Sequence, residues 1–333
     1  MRTILQDTPV HGRILLALLL AALLAAPLFA NRYLLSVLIL VLYFAYVGQA
    51  WNLLMGFAGQ LSLGHALYVG IGAYVAAALW VHFGIGPWAG VFVAIPIAAL
   101  GGAFIGWLGW RFSIEGVYFA LLTIAFAEVA RIGFDHWPFV GGSAGFFLPI
   151  GGDAAARSWN LGGGPVLFYY VALALAAGAA VLVTVLRQSA LGYRWLAIRD
   201  DPEAARALGI DIFRTRMAAM LISSSMTAIA GVFYAFYYRN LFPAQVFDIS
   251  RSIELILAPI VGGLGTIFGP IVGALILTPV GEALIAITER LGVNAPGTKA
   301  MFYGLVLMVI IWLRPNGVWP WLASLLAIRG TDR

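Results

Sequence analysis

The sequence predicts an all-α fold: a polytopic transmembrane helical bundle of about ten spans, some of them broken or re-entrant. Three observations carry that prediction. A soluble domain holds about 25% charged residues, whereas this chain of 333 residues is 62% hydrophobic and 10% charged. From Tyr33 to Trp110 there are 78 consecutive residues without Asp, Glu, Lys or Arg. The remaining apolar runs approach the roughly 20 residues that a helix needs to cross hydrocarbon. Soluble enzymes, disordered tails and fibrous proteins are excluded on these grounds.

The spans follow from the charge-free runs: 14–30, 33–54, 60–82, 88–110, 116–134, 166–186, 217–238, 254–264, 267–287 and 300–314. The first is preceded by Arg2 and Arg13, as a signal peptide would be. Its 17 residues from Ile14 to Ala30 exceed the usual apolar core of such a peptide, so it reads as a retained span. Span 254–264 is too short to cross alone and runs into Gly262-Gly263-Leu264-Gly265 and Gly269-Pro270, which marks a broken or re-entrant element. Counted as a crossing, it puts both termini on the cytoplasmic side. That orientation leaves 12 basic residues inside, six of them in 187–216, and 6 outside. Basic residues collect in cytoplasmic loops, and the net charge of +5 is read as this bias rather than as a nucleic-acid surface. Residues 1–333 read as a single transmembrane domain with two notable loops, a Gly-rich extracytoplasmic one at 135–165 and a charged cytoplasmic one at 187–216.

Chemistry-bearing motifs are few. There is no cysteine, which removes disulfides, thiolate metal sites and thiol nucleophiles. The single lysine, Lys299, follows Gly297-Thr298 and lacks the GxxxxGK[ST] spacing of a phosphate loop. The chain is expected to bind no cofactor and to be no enzyme; energy for any pumping must come from a partner or an ion gradient. His65 has no second histidine at ligand spacing, so no metal site is expected.

Gly56, Gly59, Gln60, Ser62, Gly64 and His65, followed by Gly70 and Gly72, concentrate glycine and polar groups in the longest charge-free region. Two readings fit: tight packing in which polar groups satisfy freed backbone, or a discontinuous helix lining a translocation path. Gly265, Gly269 and Gly273 are spaced by four, which predicts one smooth helix face for packing. Glu128 and Arg131 are spaced to meet on one helix face. Such a pair is either a structural ion pair or, for an ion-coupled carrier, a proton relay.

In the charged loop, Asp200 or Asp201 can cap a short helix over 202–208 that begins Pro202-Glu203 and stops at Gly209. Ala204, Ala205 and Leu208 are expected to form a small apolar face, either a solvated connector or a docking surface.

Together these segments resemble a known family. Gln49-Ala-Trp-Asn52-Leu-Leu-Met-Gly56-Phe-Ala-Gly59-Gln60-Leu-Ser62-Leu-Gly64-His65 is similar to the LivM-like permease subunits of branched-chain amino-acid ABC importers. So are Tyr118 to Glu128, Gly141-Gly142-Ser143-Ala-Gly145, Ala197 to Ile210, Gly262 to Pro270 and Arg314-Pro315-Asn-Gly317. The matches run from Gln49 to Gly317; residues before Tyr33 carry none.

The resemblance implies a type II-like importer permease in the cell inner membrane. Its partners would be a homologous LivH-like permease, two LivG/LivF-like ATP-binding subunits that hold ATP and Mg, and a periplasmic binding protein. Arg199, Asp200, Asp201, Glu203, Ala204, Ala205 and Gly209 would form the coupling element, and Gly56 to His65 the path. The solute would be a branched-chain amino acid, with urea and short amides as relatives' alternatives. An ion-coupled carrier, a membrane-embedded enzyme and a passive channel remain the rival classes.

Overall fold

The computed structural model describes residues 21–149, 161–290 and 297–325. Part of the expected first span, part of loop 135–165 and the termini with Arg2, Arg13, Arg329 and Arg333 lie outside the described residues. Residues 21–29 are helical, and the ordered chain then builds α1 (Arg32–Asn52), α2 (His65–Phe83), α3 (Pro87–Arg111), α4 (Val117–Asp135) and α5 (Pro165–Arg187). There follow α6 (Ala190–Asp200), α7 (Pro202–Ala207), α8 (Ile212–Tyr238), α9 (Pro243–Val246) and α10 (Ile249–Gly262). The chain continues as α11 (Gly269–Arg290), α12 (Thr298–Leu313) and α13 (Val318–Leu325). Seven of these helices are long and apolar enough to span a membrane, α1 with its continuation to Phe57 among them.

One expected span is corrected, and the one expected to be too short to cross alone is indeed short. Residues 254–264 fall in α10, whose 14 residues rise only about 21 Å at 1.5 Å each, short of a hydrocarbon core near 30 Å. The apolar part of α12, Ala300–Ile310, is likewise a shorter helix. The break expected across Gly56 to Gly72 is also narrower than the glycine spacing suggested. It occupies 58–64, and Gly70 and Gly72 lie inside α2.

The structure divides into two compact units. One comprises Gln49–Gly164 and Val185–Ile256. Its core is α2, α3 and α8, held close by glycines. A Cβ on Gly72 would run into the carbonyl of Ala228, and one on Gly231 into the carbonyl of Val69, so α2 and α8 each supply a glycine to the same crossing. Gly102 of α3 lies against Ser224 of α8 in the same way, with the Oγ 2.7 Å from an ideal Cβ. An antiparallel pair, β1 (Phe146–Phe147) and β2 (Asn240–Leu241), closes one end. There Tyr74 stacks on Phe247 at 5.7 Å and meets Phe134 at 4.8 Å.

The other unit comprises Met1–Gly48, Pro165–Thr184 and Leu257–Arg333. Leu257, Val261, Leu277 and Tyr303 form its apolar core, with Phe302, Val306, Leu307, Ile310 and Val318 packed around them. The turn between α10 and α11 is built by Thr266, whose Oγ1 donates to the Gly263 carbonyl at 2.8 Å and accepts from the Gly269 amide at 3.0 Å. Gly263 and Gly265 have positive φ, which only glycine adopts cheaply. Gly265 therefore sits in the turn, not on a helix face with Gly269 and Gly273. Those two do lie in α11, where their missing side chains let the backbones of Gly263 and Ala258 come close.

The reciprocal glycine crossing is testable. Gly72→Ala and Gly231→Ala are expected to cost about 1–3 kcal/mol each through overpacking, read as a lower thermal midpoint in detergent. Gly178→Ala, where an added Cβ meets nothing, should leave the midpoint unchanged.

Candidate functional site: a broken helix and the segment that grips it

α1 does not stop cleanly at Asn52. It widens into a π-turn over Leu53–Phe57, with the Ala58 amide donating to the Leu53 carbonyl at 3.3 Å. Such turns are rare and cluster at functional sites. Gly59 follows at φ +68, and its amide and that of Gln60 reach back to Met55 and Leu54. The chain then runs without helical bonds to Gly64, where a Cβ would meet the Thr123 carbonyl, and re-enters helix at His65.

An interruption among apolar helices leaves backbone groups that water cannot reach, and each must find a protein partner. Four do so through side chains from four elements. Trp51 Nε1 of α1 donates to the Ser62 carbonyl at 2.7 Å. The Leu63 amide donates to Thr123 Oγ1 of α4 at 3.0 Å, and the Ala66 amide to Ser252 Oγ of α10 at 3.1 Å. Arg199 Nη1 of α6 donates to the Gly56 carbonyl at 2.7 Å.

The polar side chains of the break form their own chain. Ser223 Oγ donates to the Ala50 carbonyl at 2.7 Å. Its one proton is used there, so the 2.9 Å contact with His65 requires Nε2–H of the imidazole to donate. His65 Nδ1 then accepts from Ser62 Oγ at 3.1 Å. Ser62, His65 and Ser223 are wholly buried, and the bond to Ser223 fixes Nε2–H as a donor. Gln60 Oε1 accepts from Trp110 Nε1 at 3.1 Å. Gly56, Gly59, Gln60, Ser62, Gly64 and His65 all lie at or beside this break.

Ser223 and Ser252 were not singled out from the sequence. The run Ser223-Ser224-Ser225 in an otherwise apolar helix was the available signal for the first. Nothing local marked Ser252.

The charged segment holds two helices, not one. α6 begins at a Ser189 cap, which accepts from the Gly192 amide at 3.3 Å, and is anchored by buried Trp195, whose Nε1 donates to the Thr215 carbonyl at 2.8 Å. Asp201, rather than Asp200, caps α7 by accepting from the amides of Glu203 and Ala204. Gly209, at φ +82, closes α7. Its amide donates to the Arg206 carbonyl and that of Ile210 to the Ala205 carbonyl, the paired C-terminal bonds of a Schellman turn.

The expected apolar face is corrected: Ala205 is buried against the protein, while Ala204 and Leu208 point outward, Leu208 at 81% exposure. Asp200 pairs with Arg199, and Glu203 with Arg206. Arg199 does more than bond Gly56. Its Cα and Cγ lie 3.3 and 3.1 Å from where a Gly59 Cβ would stand, so the left-handed glycine and the arginine share one contact. Arg187, at the end of α5, sits over the Phe57 ring at 6.0 Å.

Glu128 and Arg131 do meet, with Arg131 Nε donating to both carboxylate oxygens at 3.0 and 2.9 Å and Nη2 to Oε1 at 2.6 Å. The pair is not part of the break. It lies on the open side of α4, with side chains 49% and 27% exposed.

The fold and its relatives define the class: a multi-pass membrane protein that serves as a permease subunit of an ABC importer, a transport component and not an enzyme. The family described as "Branched-chain amino acid transport system / permease component" matches residues 33–311, and the chain belongs to that family. It is 27% identical to the high-affinity branched-chain amino acid transport system permease protein LivM of Escherichia coli (strain K12), over 95% of this chain and 77% of that one. Two proteins of Methanocaldococcus jannaschii are also similar. The probable permease LivH is 28% identical over 74% of this chain and 77% of its own, and the probable permease LivM 24% over 82% and 89%. No solved structure matches the chain significantly.

The polar knot can be probed at Ser223. Ser223→Ala removes the hydroxyl that bonds the Ala50 carbonyl and leaves the buried His65 Nε2–H without its acceptor. An expected loss of about 1–3 kcal/mol would appear as a lower unfolding midpoint of the purified protein, and an unchanged midpoint would refute the assigned bonding.

Proposed function

We propose that this chain forms half of the translocation path of an inner-membrane importer for branched-chain amino acids, with both termini in the cytoplasm. A homologous second permease supplies the other half. Two ATP-binding subunits dock on α6 and α7, and a periplasmic binding protein delivers the solute and selects it. The printed names of the relatives support the solute class, and the six arginines concentrated in 187–216 support a cytoplasmic side for that segment.

One observation carries the mechanism. Arg199, on the charged segment, holds the Gly56 carbonyl at the π-turn where α1 breaks. ATP-driven movement of α6 and α7 is thereby passed to the break by a single charge-assisted hydrogen bond, without an intervening chain of contacts. The exposed Leu208 and Tyr193 give a docking ATPase apolar side chains to grip. The division of labour agrees with a chain that has no phosphate-binding loop. In this reading Gly59, Gln60, Ser62 and His65 shape the path in alternating access, and Asp201, Glu203 and Gly209 fix the coupling helix.

Reconstituted importer tests this. Arg199→Ala removes a charge-assisted hydrogen bond of about 1.5–3 kcal/mol, so solute-stimulated ATPase is expected to fall at least about tenfold while the complex still assembles. Deleting 202–208 should abolish stimulation outright. Unchanged stimulation in both variants would defeat the coupling assignment.

The rival reading, an ion-coupled carrier that relays protons through Glu128, makes a separate forecast. It requires uptake by this chain alone under a proton gradient, lost in Glu128→Gln. Here uptake needs ATP, and Glu128→Gln is expected to leave its pH profile unshifted.

A further inference from the structure

One charged group belongs neither to the break nor to the charged segment. α8 runs from Ile212, beside that segment, to Tyr238. Tyr234 stands one turn before its end, about 33 Å along the axis from Ile212. There Arg251, in the first turn of α10, lays its guanidinium over the Tyr234 ring at 5.4 Å, with Nη2 donating to the Tyr234 hydroxyl at 3.4 Å. Arg251 Nη1 donates to Glu254 Oε2 at 2.9 Å, and both side chains of the pair are 22% exposed.

Helix stability gives no reason for this order of charges. The N-terminus is the positive end of the helix dipole, so an anion is favoured in the first turn and a cation is not. A pair placed for stability would put glutamate before arginine. The neighbourhood also holds a spare donor. Tyr74 of α2 is 1% exposed, and its hydroxyl has no hydrogen-bond partner among the described residues. Tyr234 is close enough to act on it electrostatically. A buried polar group of this kind is uncommon and calls for an explanation.

We propose that Arg251 and Glu254, against Tyr234, bind the α-carboxylate and α-ammonium groups of a free amino acid at the end of α8 remote from the charged segment. The inference rests on the importer reading above and deepens it, by giving the permease its own site for the solute. Charges leaving water each need an opposite partner. The guanidinium offers a planar fork of donors to a carboxylate, and Glu254 accepts from an ammonium. Pair and zwitterion are each neutral, so exchanging one internal ion pair for two intermolecular ones buries no net charge. An acid or an amine of the same skeleton opens the pair yet satisfies only half of it, which selects against both. The same turn of α10 carries Ser252, whose Oγ accepts from the Ala66 amide at 3.1 Å. Opening of the pair is thereby felt where the chain re-enters helix after the break.

The test uses the assembled importer in lipid nanodiscs, without the binding protein, and saturation-transfer NMR with L-leucine as probe. Leucine is expected to give a saturable signal, with isocaproate and isoamylamine at least about tenfold weaker as competitors. Arg251→Gln and Glu254→Gln should each weaken leucine at least about tenfold. In Glu254→Gln the lead of leucine over isocaproate vanishes while that over isoamylamine persists; in Arg251→Gln the reverse holds. A loss of affinity with both leads unchanged marks a merely structural pair and overturns the proposal. So does the absence of a leucine signal from the unaltered importer, equal competition by the analogues, or leucine binding unchanged in both variants. If the glutamine variants do not assemble, Arg251→Lys and Glu254→Asp, which keep the charges, decide: leucine weakened with its leads preserved supports the site, and leucine unchanged in both overturns it. ATP-driven leucine uptake is measured in parallel. Uptake by an importer that gives no leucine signal removes this inference and leaves the proposed function standing, whereas uptake that needs neither ATP nor a second permease removes both.

Discussion

The structure of the larger unit depends on one constraint: a helix interrupted among apolar helices must give its freed backbone groups to side chains. The break at 58–64 would otherwise bury several unpaired amides and carbonyls, at about 1–3 kcal/mol each. Its partners come from far apart in sequence, with Trp51, Thr123, Arg199 and Ser252 each meeting one backbone group. α1, α4, α6 and α10 are thereby fixed around the break. The glycines serve the same constraint from the other side. Gly64 lets the Thr123 backbone approach and Gly70 lets the Phe247 ring lie against α2, so protein packs closely on the far side of the break.

A second interruption, between α10 and α11, is solved differently. Here the turn supplies its own partner: Thr266 both donates to Gly263 and accepts from Gly269. Glycines on each side of the turn bring backbone against backbone, and Gly317, at φ +87, lets the chain before α13 close over Gly263. A self-contained turn needs little from the rest of the chain. The break at 58–64, which borrows partners from four helices, is sensitive to where each of them stands.

That difference explains what could be read from the sequence. The class of fold, the position of the break and the stop at Gly209 were legible because each has a local cause: apolar run length, clustered glycine and polar residues, and a residue that tolerates positive φ. The extent of the break was overread because glycine marks close packing as well as unwinding; Gly70 and Gly72 do the former. Gly265 was misplaced for the opposite reason: its four-residue spacing fits a helix face, but its φ of +72 belongs to a turn. α6 escaped notice because its anchors, Trp195 and Ile198, are buried only by tertiary contact. The partners Ser223 and Ser252 are distant in sequence from the groups they satisfy, and no periodicity announces such a bond.

The bond from Arg199 to Gly56 is well suited to bias a switch. The last carbonyls of a helix have no partner within it and carry the negative end of the helix dipole, so a guanidinium there is favoured twice, as donor and as charge. The π-turn loosens the same carbonyls from their regular bonds. If α6 withdraws, the Gly56 carbonyl loses its partner where water is scarce, and the balance between two arrangements of the break shifts by about 1–3 kcal/mol. A free energy of that size corresponds to about a 5–150-fold change in population, the usual range of coupling between distant sites. On the proposed reading, one hydrogen bond at the junction of α1 and α6 is then sufficient to tie the state of the docked ATPases to the state of the path. Gly59 is required beside it, because a side chain there would press on Arg199 at about 3 Å and force the two apart.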